Sequence, residues 1–294
     1  MNGNWGIIEK KIEQATGEKV QFVNKEPVSG GCINQCWKVT DSNNCHWFIK
    51  TNSPLLLDMF IAESQGLEEI AKSQSIRSPN SIFYGKTPES SYLVLEYIPL
   101  VSLSNQGQAG EQLAQMHRIY ANQFGWKRDN TIGSTPQPNT HEDDWGAFWV
   151  KYRLIHQLDL AKEKGYSTKS YDIGLKLAEN LPPFFTAYNV KPSLLHGDLW
   201  SGNIASDGAG NTVIYDPAVY YGDRETDIAL TELFGGFNQD FYAAYNSHYP
   251  LDQGYETRKT LYNLYHILNH YNLLGGSYAS QALQMTNKLL AEIS

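Results

Sequence analysis

The chain has 294 residues, which fits one large domain or two lobes sharing a cleft, and its apolar fraction of 41% is enough for a packed core. Its formal net charge of −8, with no run of basic residues, disfavours a nucleic-acid partner, because phosphate contacts need clustered Lys and Arg. The N-terminal segment lacks the pattern of a signal peptide, and no apolar run approaches the roughly 20 residues of a membrane span. We therefore expect a cytoplasmic protein with no membrane partner.

The N-terminal third predicts a small β-rich lobe that contains a helix. Apolar residues recur at helical spacing in two stretches, and β-prone runs alternate with turn-forming clusters between them. The predicted elements are a helix over 4–15, a strand meander between 20 and 50, a helix over 55–73, and strands over 81–85 and 92–98.

The remainder of the chain predicts a mostly helical lobe. Helices are predicted over 104–120, 142–162, 170–188, 225–234, 238–247, 256–274 and 279–292. A strand–loop–strand unit over 193–216 interrupts them, and the polar stretch 122–141 is expected to be a long ordered loop of the kind that is often functional. The element order therefore predicts an α+β protein with an N-terminal nucleotide-binding lobe over 1–98 and a C-terminal helical lobe over 99–294.

The strongest chemical signal is HGDLWSGN at 196–203, followed by VIYDPA at 213–218. Phosphoryl transfer from ATP needs a carboxylate beside the acceptor hydroxyl and oxygen ligands for Mg²⁺. Asp198 is the candidate base that accepts the hydroxyl proton. Asn203, five residues later, and Asp216, at the end of an apolar strand, are the candidate metal ligands. The spacing predicts that a short loop and a hairpin bring the three side chains to one site.

Upstream residues fit the same reaction. Ser29, Gly30 and Gly31 lie between two predicted strands, where backbone N–H groups could approach the β- and γ-phosphates, although a full G-x-G-x-x-G pattern is missing. Lys50 ends the strand HWFIK, and Glu63 lies thirteen residues later on the predicted helix. The lysine is expected to bind the α- and β-phosphates while the glutamate holds it in place.

Two further features have weaker signals. The segment LVLEYI at 93–98 ends the β-rich lobe, and the backbone carbonyl of Glu96 and amide of Ile98 could read the adenine edge. Asp227 begins a predicted helix, where it is either an ordinary N-cap or a brace for the backbone amides of the 196–203 loop. The sequence favours neither reading of Asp227.

Over almost its whole length the chain resembles the fructosamine kinase and ketosamine-3-kinase family, which is related to aminoglycoside phosphotransferases and choline kinases. The resemblance rests on PVSGGCINQCWKV, the pair Lys50 and Glu63, FGW with NTIGSTPQPN, HGDLWSGN, and YDPAVYYGDRETDIALTELFGGF at 215–237. It implies a bilobal protein-kinase-like fold, ATP and Mg²⁺ as cofactors, and phosphorylation of the 3-hydroxyl of a ketosamine such as a fructosamine or ribulosamine. The implied substrate is a small-molecule sugar-amine or a glycated lysine, and the implied role is deglycation of proteins or metabolites. It also implies that Trp200 walls the sugar pocket, with His196 beside it.

Two alternatives remain open at this point: a kinase for another small alcohol, such as an aminoglycoside, choline or homoserine, and a nucleotide-binding protein without activity. The nucleotide-binding protein without activity is disfavoured because the chain retains all five candidate polar residues: Lys50, Glu63, Asp198, Asn203 and Asp216. Cys32 follows the glycine pair and is either a small apolar loop residue or a redox-sensitive thiol, whose pKa nearby N–H groups and Lys50 could lower. Because some members of the family that the chain resembles carry a cysteine there, the resemblance implies a monomer or a redox-linked dimer.

Overall fold

The computed structural model describes residues 3–28 and 33–293. The chain divides into two units, one formed by Met1–Ser104 with Ala205–Asp216 and the other by Asn105–Ile204 with Pro217–Ser294. The first unit therefore extends past residue 98, the predicted end of the N-terminal lobe, and also includes a segment from far along the sequence. The assignment of 1–98 and 99–294 as functional lobes stays a prediction.

The first unit is built on a five-stranded antiparallel sheet in the order β1-β2-β3-β5-β4. Its strands are β1 Phe22–Val28, β2 Gln35–Asp41, β3 His46–Asn52, β4 Ser81–Lys86 and β5 Ser91–Glu96. Two helices accompany it, α1 Gly3–Thr16 and α2 Leu57–Ser73, the second preceded by a 3-10 turn over Pro54–Leu56. Each of these elements lies within a few residues of its predicted position.

The alternation of side chains along β5 explains how the sheet buries apolar surface on both faces. Val94 packs in a cluster with Ile8 and Ile12 of α1. Leu93 packs in a second cluster with Phe60 of α2. Because neighbouring residues of a strand point to opposite faces, α1 covers one face of the sheet and α2 covers the other.

A smaller three-stranded sheet in the order β11-β10-β6 completes the first unit. Its strands are β6 Leu100–Val101, β10 Ile204–Asp207 and β11 Thr212–Ile214. The side chain of Asp207 closes the β10–β11 turn by accepting hydrogen bonds from the backbone amides of Ala209 and Asn211, both at 2.9 Å. Hydrogen bonds from Asn211 are the main reason why the pKa of Asp207 falls to about 2.

The second unit is mostly helical, with two short antiparallel strand pairs, β7–β8 and β12–β9. Its helices are α3 Gln106–Met116, α4 Trp145–Trp149, α5 His156–Glu163, α6 Thr168–Glu179, α7 Glu225–Leu233, α8 Gln239–His248, α9 Tyr255–Leu274 and α10 Tyr278–Glu292. Its strands are β7 Asn130–Ile132, β8 Thr135–Gln137, β9 Ser193–Leu195 and β12 Tyr220–Gly222. Helix α9 buries residues along its whole length and forms much of the core.

Three predicted elements differ in detail. The helix predicted over 142–162 consists of α4, a π-helical stretch Val150–Ile155 and α5. The helix predicted over 170–188 ends with α6 at Glu179, because Pro182 and Pro183 follow and lack the N–H that would continue it. The expected loop 122–141 contains the β7–β8 hairpin. Within the described ranges, no helix combines the length and apolar character needed to cross a bilayer.

Candidate active site

The first unit holds Lys50, Glu63 and Asp216 in one charged cluster. Lys50 pairs with Leu93 across β3 and β5, so its side chain lies on the face that α2 covers. Its Nζ donates to Glu63 Oε1 and to Asp216 Oδ1, each at 2.6 Å. The predicted lysine–glutamate contact is thus present, and Asp216, two residues after the end of β11, also binds the lysine.

Burial and charge act against each other at Lys50, which is 3% exposed. Burial lowers the pKa of the amine, but attraction to Asp216 and Glu63 outweighs it and raises the pKa above its ordinary value. Burial also raises the pKa of Glu63, and the neighbouring Lys50 offsets only part of that effect. The two carboxylates therefore favour the protonated, cationic form of the lysine.

Asp216 differs from its two partners in exposure and backbone geometry. Its side chain is 46% exposed, whereas Val213 and Ile214 just before it are fully buried. Its φ of 57° is uncommon for a residue other than glycine and adds roughly 1 kcal/mol or more of backbone strain. A half-exposed carboxylate fixed by a buried lysine is suited to bind a cation from solution.

The second unit carries His196–Asn203, here named the HGD loop, which begins directly after β9. Asn203 Nδ2 donates to the carbonyl oxygen of Asp198 at 2.8 Å and to its carboxylate Oδ2 at 3.3 Å. A 3-10 turn over Ser201–Asn203 brings the amide back to the aspartate. The predicted return of Asn203 to Asp198 is therefore observed.

Asp227 braces this loop from α7. Its Oδ2 accepts the backbone N–H of His196 at 2.7 Å, and its Oδ1 accepts that of Gly197 at 2.9 Å. Because α7 begins at Glu225, Asp227 lies inside the helix and is not its N-cap. Of the two sequence-based readings, the brace is the one that the structure shows.

Gly197 lets the HGD loop turn sharply. Its φ is 81°, and an added Cβ would lie only 2.1 Å from the carbonyl oxygen of Ala218. Since that neighbour is backbone, it cannot move aside at low cost. Ala218 in turn donates its N–H to the carbonyl of His196 at 2.8 Å, so the loop and the segment after Asp216 are joined at this point.

We predict that Gly197→Ala lowers the free energy of unfolding by about 2 kcal/mol or more, from strain at positive φ and the clash with Ala218. Gly208→Ala is the matched control, because an added Cβ there meets nothing within 4 Å. Thermal unfolding of both variants checks the prediction. Equal melting temperatures for the two variants would contradict it.

A buried polar network, unnoticed in the sequence, supports the same segment from the predicted functional loop. Gln137 Nε2 donates to the carbonyl of Ala218 at 3.1 Å, and Asn130 Nδ2 donates to that of Val219 at 2.8 Å. The hydroxyl of Tyr265 in α9 donates to Gln137 Oε1 at 2.6 Å. Side-chain amides of the 122–141 stretch therefore hold the backbone of the segment after Asp216. The Asn- and Gln-rich composition of the stretch indicates such hydrogen bonding but not the partners.

Trp200 is the exposed aromatic residue of the HGD loop, with 41% of its surface accessible. Its ring covers Gly202, where an added Cβ would lie 2.2 Å from a ring carbon. Ser201 beside it packs against Gly236 of the FGGF stretch. The His196 side chain, in contrast, is fully buried, so its predicted contact with substrate stays a prediction.

The remaining predicted nucleotide contacts are only partly described. Glu96 ends β5, with its carboxylate bound by Arg77 at 2.6 Å and Asn80 at 3.0 Å, and Ile98 is buried. Ser29, Gly30, Gly31 and Cys32 lie outside the described residues. The described cysteines, Cys36 and Cys45, are free thiols.

One unit carries a buried lysine–glutamate pair on an antiparallel sheet, and the other, mostly helical unit carries an Asp–Asn loop. Together with the similar solved structures, these features define a phosphotransferase of the protein-kinase-like fold. The chain belongs to the fructosamine kinase family, whose sequence pattern matches residues 4–292. It is accordingly an ATP-dependent phosphotransferase. The predicted family, fold and class of enzyme are confirmed.

Similar proteins cover nearly the whole chain. A protein from Synechocystis sp. named as a probable ketoamine kinase is 44% identical over 289 residues, covering 97% of both chains. A chloroplastic protein-ribulosamine 3-kinase from Arabidopsis thaliana is 42% identical over 279 residues, covering 93% of this chain and 85% of the relative. A crystal structure from Haemophilus somnus, provisionally assigned as a fructosamine-3-kinase, is 32% identical with a TM-score of 0.90 and covers 98% of both chains.

Proposed function

We propose that this protein transfers the γ-phosphate of ATP to the 3-hydroxyl of a ketosamine, the adduct of an amine with a reducing sugar. The observation that carries the proposal is the match over nearly the whole chain to proteins named as ketoamine and ribulosamine kinases. The cluster in the first unit and the HGD loop in the second supply the residue types that the reaction needs.

Asp198 is proposed to act as the base. Its carboxylate accepts the proton of the acceptor hydroxyl while the hydroxyl oxygen attacks the γ-phosphorus and the bond to ADP breaks. Asn203 holds the backbone and carboxylate of Asp198 at 2.8 and 3.3 Å, so the carboxylate is oriented before substrate arrives. This order of bond changes places the proton on Asp198, from which water later removes it.

Lys50 is proposed to bind the α- and β-phosphates, with Glu63 holding its amine in position. The backbone of Ser29, Gly30 and Gly31 would cover the phosphates, and the backbone of Glu96 and Ile98 would read adenine. Because two nucleotide phosphates carry several negative charges, a buried amine that remains protonated is a suitable partner.

Mg²⁺ is proposed to bind Asp216 and Asn203. A half-exposed carboxylate and an amide oxygen are hard oxygen donors, which this cation prefers, and phosphate and water would supply the other ligands. When bound, Mg²⁺ neutralises charge on the β- and γ-phosphates. Asn203 directs its Nδ2 to Asp198, so Oδ1 is the atom that suits a cation.

The acceptor is proposed to lie against Trp200, with His196 beside it. An exposed indole face suits the C–H groups of a neutral sugar. Trp200 stands two residues after the proposed base, so a sugar on the ring would present a hydroxyl close to Asp198. The resulting 3-phosphate lies next to the ketone, where enolisation toward the amine-bearing carbon expels phosphate and leads to release of the amine.

The proposal is tested by following ADP release with Mg²⁺-ATP and four acceptors: a fructosamine, a ribulosamine, an aminoglycoside and choline. We expect turnover on a ketosamine, and ³¹P–¹H correlation should place the phosphoryl group on O3. Turnover on the aminoglycoside or choline alone would keep the phosphotransferase and overturn the ketosamine assignment. Phosphorylation of a ketosamine at another hydroxyl would overturn the position of transfer.

A further inference from the structure

A line of buried, hydrogen-bonded polar groups leads to Asp227, which in turn binds the backbone of the HGD loop. His117, the residue that follows α3, is fully buried. Its Nε2 lies 3.2 Å from Asp227 Oδ2, and its Nδ1 lies 2.8 Å from the hydroxyl of Tyr245 in α8. Arg224 Nη1 donates to the same hydroxyl at 3.1 Å. We name these four residues the His117 relay.

The donors and acceptors of the His117 relay can be arranged in one direction. Arg224 can only donate, so the oxygen of Tyr245 accepts from it and directs its own proton to Nδ1 of His117. Nδ1 is then an acceptor, which leaves the ring proton on Nε2, where it is donated to the carboxylate of Asp227. Burial, together with the charge of Arg224, lowers the pKa of His117, consistent with this neutral imidazole.

Asp227 needs this donor because its carboxylate is 1% exposed. Burial raises its pKa, but the hydrogen bonds from His117 and from the backbone of His196 act in the opposite direction, and the pKa falls below its ordinary value. Without the N–H of His117, Oδ2 would lose one of the two hydrogen bonds described for it and keep that from the amide of His196. A carboxylate that gained a proton in response would lose acceptor capacity for the two loop amides.

We propose that His117 is a positioning residue for the transfer reaction, which fixes the HGD loop by holding Asp227 as an ionised acceptor of the amides of His196 and Gly197. It touches neither nucleotide nor acceptor. The Arg224–Tyr245 end of the relay selects the tautomer of the imidazole and thereby the hydrogen bond to Asp227. The effect on the reaction rests on the proposed role of Asp198, whereas the effect on the loop does not.

Four variants of the full chain separate positioning from general packing. His117→Phe keeps a buried ring and removes the donor, whereas His117→Gln restores an N–H of similar reach. Tyr245→Phe removes only the hydroxyl that selects the tautomer. His266→Phe is the control, because His266 is also buried, with a pKa lowered to about 3 mainly by burial, and belongs to no part of the relay.

The first readout is hydrogen exchange of the backbone amides of His196 and Gly197, which needs no substrate. We expect His117→Phe to speed exchange by about tenfold or more and Tyr245→Phe by about threefold, because a buried charged hydrogen bond is weakened. His117→Gln should return exchange to within about threefold of the parent protein, and His266→Phe should leave it unchanged.

The second readout is the kinetics of the same variants on any acceptor that the parent protein phosphorylates. We expect His117→Phe to lower kcat by about tenfold or more with the KM for ATP within about twofold, and His117→Gln to recover most of the loss. If the loop amides exchange at parental rates in both His117→Phe and Tyr245→Phe, or if Gln recovers neither readout, the positioning role is overturned. Faster exchange in a protein that phosphorylates no ketosamine would support the relay and count against the proposed substrate.

Discussion

Asp198→Asn is expected to lower kcat by about 10³-fold, because a positioned general base contributes about 10²- to 10⁴-fold and an amide cannot accept the hydroxyl proton. The substitution retains the shape of the side chain and an oxygen for the Asn203 Nδ2 that now lies 3.3 Å from Oδ2. The HGD loop should therefore keep its conformation. We expect the KM for ATP to stay within about threefold of the parent value.

The matched control is Asp143→Asn, the same chemical change at an exposed aspartate of the same unit, which accepts a surface hydrogen bond from Gln123. Its kcat should equal that of the parent protein. ADP release under saturating ATP and acceptor measures both variants. If Asp198→Asn retained a tenth or more of the parental kcat, the proposed base would have to be another group.

Lys50→Met is expected to have two separable effects. Loss of the amine removes the proposed ligand of the α- and β-phosphates, which should lower kcat/KM for ATP by about 10²-fold or more. It also leaves Glu63 buried without its cation, and breaking a buried ion pair costs about 3 kcal/mol in the free energy of unfolding. The contact with Asp216 adds less to stability, because water screens that half-exposed carboxylate.

The double variant Lys50→Met/Glu63→Gln distinguishes the two effects. With both charges of the buried pair removed, the free energy of unfolding should recover most of the loss, whereas kcat/KM for ATP should not recover. Chemical denaturation and steady-state kinetics of the two variants measure this difference. Recovery of activity together with stability would show that Lys50 acts in this protein as a structural ion pair alone.

Much of the candidate site was predictable because its residues are close in sequence or fall in a characteristic order. The HGD loop places Asp198 and Asn203 five residues apart, and a local 3-10 turn suffices to bring them together. Lys50 ends a β-prone run, and Glu63 falls on the buried side of a periodic helix, so strand and helix patterns place both.

The hydrophobic periodicity of the sequence did not predict every element boundary, because prolines and tight turns also decide where helices and strands end. Helix α6 stops at Glu179 because prolines follow, and the stretch predicted as a long loop contains a hairpin. The first unit also includes 205–216, which lie far along the chain from the rest of that unit. That assignment follows from pairing of β10 with β6, which no local pattern in either segment specifies.

The sequence by itself determined the family, the class of reaction and the residue types at the candidate site, because these reside in short motifs and their order. Only the tertiary structure decided that Asp227 is a brace and not an N-cap, and that His117 and Tyr245 support it. These contacts join residues 110 and 128 positions apart. Which buried polar groups meet depends on how the helices pack, since each must find a partner once water is excluded, and that choice is made by the fold as a whole.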